Sequence, residues 1–117
     1  MAIQKEILQL QELGRMPDEL DESLTDKQID NYTKLFNQIE RPINFEEAEI
    51  LVGLFPEHGL YGIEWTLLHL LETVSISNAA NIERYISIID KCPSEEWRDR
   101  LTLRPKSWRE SNLSPKE

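Results

Sequence analysis

The chain reads as an all-α, single-domain bundle of five or six antiparallel helices, with a short solenoid-like stack of helical hairpins as the variant arrangement. Apolar residues recur at helical spacing in every segment, and no convincing strand-like alternation interrupts them. Only four glycines occur in 117 residues, and the helical segments are separated by brief Pro, Gly, Ser or Asn punctuation. Short connections between helices favour antiparallel hairpins. No repeat period is visible, which favours the bundle. Residues 1–104 form one helical domain on this reading, and 105–117 a loosely held tail.

The first helix carries Ile3, Ile7, Leu10 and Leu13 on one stripe and is closed by Gly14 and Pro17. Pro17 then starts a short helical turn from Asp18 to Leu24. Thr25 with Gln28 is a capping-box pattern that opens a helix bearing Ile29, Tyr32, Leu35, Phe36 and Ile39. Asn44 with Glu47 repeats that pattern before Phe45, Ala48, Leu51, Val52 and Phe55. A fourth helix is expected over Tyr61 to Val74, in YGIEWTLLHLLETV. Ser75 to Asn78 reads as a loop, and Asn78 or Asn81 caps the helix of Ile82, Tyr85, Ile86 and Ile89. Cys92-Pro93 breaks that helix. Ser94 then caps a last one, which turns Trp97 and Leu101 inward.

The charge is uneven. The net is −9, with 5 basic and 13 acidic residues through Leu60 against 8 and 9 after it. The acids are densest at Asp18, Glu19, Asp21 and Glu22 and at Glu46, Glu47 and Glu49, with Glu57 and His58 following. Such a surface repels phosphate backbones, which argues against nucleic acid and anionic membranes as partners. It attracts a basic protein, although acidic helices can also serve solubility alone. In the tail, Arg104 to Arg109 (RPKSWR) pairs cations with an aromatic, a weak footprint for single-strand binding on so acidic a chain. One cysteine, Cys92, fits a reducing cytoplasm. No signal-peptide core or membrane-length apolar run is present, so a cytoplasmic location is expected.

Within YGIEWTLLHLLETV, Leu60, Ile63, Leu67, Leu70, Leu71 and Val74 form an apolar side. Tyr61, Trp65, His69 and Glu72 form a ridge at helical steps. A glutamate three residues after a histidine could orient its ring and raise its pKa, as a general acid requires. The simpler expectation is a core histidine bonded to Glu72 or to a backbone carbonyl. A metal site needs more ligands, and the only other histidine is His58. Cys92 sits at a helix end, where the dipole disfavours thiolate. No nucleophile elbow, phosphate-binding glycine loop or cysteine cluster occurs. No cofactor, metal or catalytic residue is expected, and the chain does not read as an enzyme.

FPEHGLYGIEWTLLHLLETV resembles a motif of small bacterial proteins in which a loop leads into a helix of the pattern (F/Y)G(L/V)xWTL(L/V)HL(I/L)E. EEWRDRL (Glu95 to Leu101) resembles their closing tryptophan-containing helix. The resemblance covers Phe55 to Leu101, about half the chain, and maps Tyr61, Gly62, Trp65, His69 and Glu72 onto the motif and Trp97 onto the closing helix. Many such proteins look like immunity proteins, encoded beside secreted or contact-delivered toxins that they hold inactive. It implies a cognate toxin as partner, and the acidic first half suggests a basic nuclease domain, bound through Asp18 to Glu22, Glu46, Glu47, Glu49, Glu57 and His58. The competing expectation is a generic interaction or adaptor module that binds a partner helix and no toxin. The oligomeric state is left open by the sequence.

Overall fold

The computed structural model describes residues 3–76 and 78–105, and among these the regular structure is entirely helical. The helices are α1 (Lys5–Leu13), α2 (Asp26–Gln38), α3 (Phe45–Leu51), α4 (Ile63–Leu71), α5 (Ala79–Ile89) and α6 (Glu95–Leu101), with a 3-10 turn at Val52–Leu54 after α3. Of the expected tail, 106–117 lies outside the described residues, and with it most of the RPKSWR segment.

The capping signals operate as the side-chain chemistry demands. Thr25 and Gln28 exchange hydrogen bonds at the start of α2, and Asn44 and Glu47 do the same at α3. Asn78 accepts the Asn81 N–H at α5, and Ser94 Oγ accepts the Trp97 N–H at α6. Each cap satisfies N–H groups that the helix itself leaves without a partner.

α1 packs on α2 and α3, α3 packs on α4 and α5, and α2 also touches α4. Their apolar stripes meet in one core. Ile7 and Leu10 of α1, Tyr32 and Phe36 of α2, Ala48 and Leu51 of α3 and Leu67, Leu70 and Leu71 of α4 are buried, as are Ile82, Tyr85, Ile88 and Ile89 of α5. α6 is held by Trp97, whose indole stacks on Phe55 with centroids 5.5 Å apart.

Two expectations about local structure change. The segment after Pro17 is not a helical turn but two successive tight turns, closed by Asp21 N–H to Asp18 O and Leu24 N–H to Asp21 O. Asp18 also accepts the Leu20 N–H and Asp21 the Ser23 N–H, so aspartate side chains take donors that a helix would need. The fourth helix is shorter than expected. Tyr61 and Gly62 adopt positive φ of 50° and 88°, which prevents helix before Ile63. Beyond Leu71 the chain tightens, with Thr73 N–H bonded to Leu70 O and Val74 N–H to Leu71 O.

Burial has an electrostatic consequence in α5. Tyr85 is fully buried, and neither its hydroxyl nor Nη1 of the nearby Arg104 makes a hydrogen bond among the described residues. Burial pushes the phenol pKa up to about 12, with the Arg104 cation offsetting part of the effect. An unfolded tyrosine releases its proton near pH 10. Between about pH 10 and 12 the unfolded chain therefore binds fewer protons, and stability falls as pH rises. The expected loss from this group is about 2–3 kcal/mol across that interval. Urea unfolding at stepped pH measures it, and Tyr85→Phe should flatten that part of the profile.

Candidate partner-binding surface

The loop from Glu57 to Gly62 brings the acidic cluster and the aromatic ridge together. Its backbone must aim four consecutive N–H groups, at residues 58 to 61, toward acceptors. Three carboxylates supply them. Asp18 Oδ1 accepts His58 N–H at 2.9 Å and Gly59 N–H at 3.2 Å, Glu64 Oε1 accepts Leu60 N–H at 2.7 Å, and Glu19 Oε1 accepts Tyr61 N–H at 2.9 Å. Glu19 N–H also donates to Gly59 O at 2.8 Å. Successive backbone N–H groups of this kind form an anion-binding concavity, and here the chain fills it with its own acids.

Asp18 carries the clearest electrostatic signature. Its partial burial alone would raise the carboxyl pKa, but the N–H donors of Leu20, His58 and Gly59, with the nearby His58 ring, hold it below the ordinary aspartate value. Its stabilising contribution is therefore present above about pH 4 and fades as pH falls through the lowered value. Asp18→Ala strips the acceptor from those three donors. Because water can reach part of the site, the expected cost is about 1–2 kcal/mol. Faster hydrogen exchange at His58 and Gly59 is the measurement that reports it.

The other predicted residues divide. Glu57 and His58 are exposed on the same loop. Glu57 pairs with Arg15 at 3.2 Å, and His58 Nδ1 lies 3.5 Å from Glu96. Asp21 and Glu22 are exposed on the neighbouring turns. The α3 acids are placed elsewhere. Glu49 reaches toward Lys91 at 3.7 Å, and Glu46 lines a separate depression with Phe45 and Arg84.

Glu47 is corrected. Only 3% exposed, it accepts N–H bonds from Gln4 at 2.9 Å and Asn44 at 3.0 Å. Its charge is consumed in joining α1 to the α3 cap, so it is no part of an open surface. The reciprocal capping position that marks it in the sequence is also what draws it inward.

The ridge is corrected as well. His69 is exposed rather than a core histidine. Its ring lies 6.4 Å from Trp65 at a tilt of 41°. The reason is angular. Ile63, Leu67, Leu68, Leu70 and Leu71 occupy the buried arc of α4, leaving Trp65 and His69 to the outside, with Tyr61 exposed on the loop before it. Tyr61 is 65% exposed and Trp65 41%. Trp65 meets the edge of Trp97 with centroids 5.1 Å apart, and the Arg100 guanidinium covers both indoles at 5.0 and 5.3 Å. Trp97 is buried and its Nε1–H donates to His58 O at 2.8 Å, which ties α6 to the acidic loop. Ser94 Oγ reinforces the tie by donating to Glu57 O at 2.8 Å.

Glu64 and Arg100 escape the sequence reading. A carboxylate in the first turn of an otherwise apolar helix, four residues after a loop N–H, is a local signal for Glu64. Nothing local marks Arg100. Cys92 is buried, and burial raises its thiol pKa despite the Sγ–Ser94 O contact at 3.5 Å and nearby arginines. It is inert packing.

No protein family, curated protein or solved structure matches this chain. No helix among the described residues is long and apolar enough to cross a membrane. The surface therefore stands on its own chemistry.

Proposed function

We propose that the protein is an immunity-type protein that binds a cognate bacterial toxin domain, a basic nuclease, and neutralises it by covering its active site. It acts in the cytoplasm by binding and performs no turnover. One observation carries the reading: Asp18 and Glu19 are pinned by backbone N–H groups of the loop that carries exposed Tyr61 and leads into the helix of exposed Trp65. Pinned charges need no ordering when a partner arrives, so less of the attraction is spent on immobilising them. Exposed tyrosine and tryptophan next to them are the residue types that anchor protein interfaces. The acidic excess of the first half adds long-range attraction for a basic partner.

The test is co-purification with the product of the adjacent gene, together with relief of that product's toxicity by this protein. Binding should weaken with added salt, and the association rate should fall more than the dissociation rate rises. A neighbour that is harmless and does not bind overturns the proposal. Salt-independent association removes its electrostatic part.

The adaptor reading draws on a different place, the shallow groove between α1 and α2 where Leu13 and Leu35 lie among Gln9, Glu12, Asn31, Lys34 and Gln38. Substituting Leu13 with Ser would abolish partner binding under that reading and leave toxin binding intact under the first.

A further inference from the structure

Arg104, just beyond α6, reaches back across the domain to α5. Its Nη2 donates to Val74 O at 2.6 Å, and its guanidinium lies 5.3 Å from the centre of the Tyr85 ring. Arg104 Nη1 and the Tyr85 hydroxyl are both buried, and neither has a hydrogen-bond partner among the described residues. The two groups are close enough for the Arg104 charge to act on the phenol, yet neither bonds the other. No carboxylate lies within ion-pair distance of Arg104 among the described residues. Buried polar groups almost always find partners, and a buried donor left without an acceptor is costly, most of all on a cation. Nη1 can only donate, and a hydroxyl rotates to donate where an acceptor sits. The complement that both groups require is an acceptor.

We propose that the Tyr85 hydroxyl and Arg104 Nη1 donate together to one small bound monoanion, of the class of chloride or formate. An anion supplies what a neutral water molecule does not, the countercharge of a guanidinium withdrawn from water. Glu72 limits the charge the site accepts. Its carboxylate acts on the same phenol, so a dianion such as sulfate is repelled. An occupied site ties α5, the turn at Val74 and the end of α6 together. α6 in turn supports the acidic loop, through Trp97 to His58 O and its cap Ser94 to Glu57 O. The anion thus steadies that loop from below without touching it, whatever partner the loop binds.

The full chain is titrated with sodium chloride, formate and sulfate, each against sodium gluconate at equal ionic strength. Amide and arginine side-chain NMR shifts and thermal melting are followed. Saturable shifts at Val74, Tyr85 and the Arg104 guanidinium, with a saturating rise in Tm, are expected from chloride or formate and not from sulfate or gluconate. Tyr85→Phe deletes one donor and should weaken the binding about tenfold. It also separates a ligand site from a merely orphaned hydroxyl. An orphaned hydroxyl makes the phenylalanine variant more stable than the parent by the same margin in every salt, and that result overturns the site. Arg104→Gln removes the charge and should abolish the saturable shifts. If that variant does not fold, Tyr85→Phe still decides. Shifts that do not saturate, that gluconate reproduces, or that persist unchanged in the folded variants also overturn the proposal.

Discussion

Trp97→Ala should lower the unfolding free energy by about 3–5 kcal/mol, the range for removing a large buried aromatic. The indole fills the space between Phe55 and Trp65, and its Nε1–H is the partner of His58 O. Truncation leaves a cavity, releases the Arg100 stack and orphans a carbonyl on the loop that holds the acidic array. Against a typical total of about 5–15 kcal/mol, the change removes at least about a fifth of the stability of a domain of this size. Trp97→Phe retains most of the ring but not the donor, and should cost about 1–2 kcal/mol. Urea denaturation followed by helical circular dichroism measures both. Equal stabilities for the alanine variant and the parent would mean that α6 is not held through this ring.

Glu47→Ala should cost about 2–4 kcal/mol, although a glutamate in a helix's first turn ordinarily contributes far less. The difference lies in its two N–H donors. The Asn44 bond closes the α3 capping box, and the Gln4 bond fixes the start of α1 against α3. Both donors are half-buried, so water replaces the lost carboxylate only in part. The Glu47→Gln variant keeps one accepting oxygen while turning an amide NH₂ toward the other donor, so an intermediate loss is expected. Hydrogen exchange should locate the effect at Gln4 and at the first turn of α1. Neutralising an exposed acid such as Glu22 should leave stability close to that of the parent. That contrast separates acids that build the fold from acids available to a partner.

Glu47 also shows why charge is hard to assign from sequence. Glu47 in FEEAE and Glu22 in DELDE both sit in acid-rich stretches, yet one is buried under two N–H donors and the other lies in the open. Asp18 and Glu19 are intermediate. They are at the surface, but their orientation is set by a loop about forty positions later in the chain. His69 illustrates the opposite error. The histidine-glutamate spacing invites a paired reading, but helix position alone does not say which arc of α4 the rest of the domain will cover.

The helices, their caps and the apolar stripes were legible in the order of residues, because these depend on neighbours within one or two turns of each other. Thr25 with Gln28, Asn44 with Glu47, Asn78 and Ser94 act as their local chemistry dictates. The uneven acidic charge was legible in the same way. Packing of the whole chain settled which of those acids are structural, which arc of α4 faces outward, and that Asp18, Glu19 and Glu64 converge on one loop. Four adjacent N–H groups in an irregular loop need acceptors; Glu64 is a near neighbour of the loop, but only the folded chain could bring Asp18 and Glu19 to it from about forty positions away.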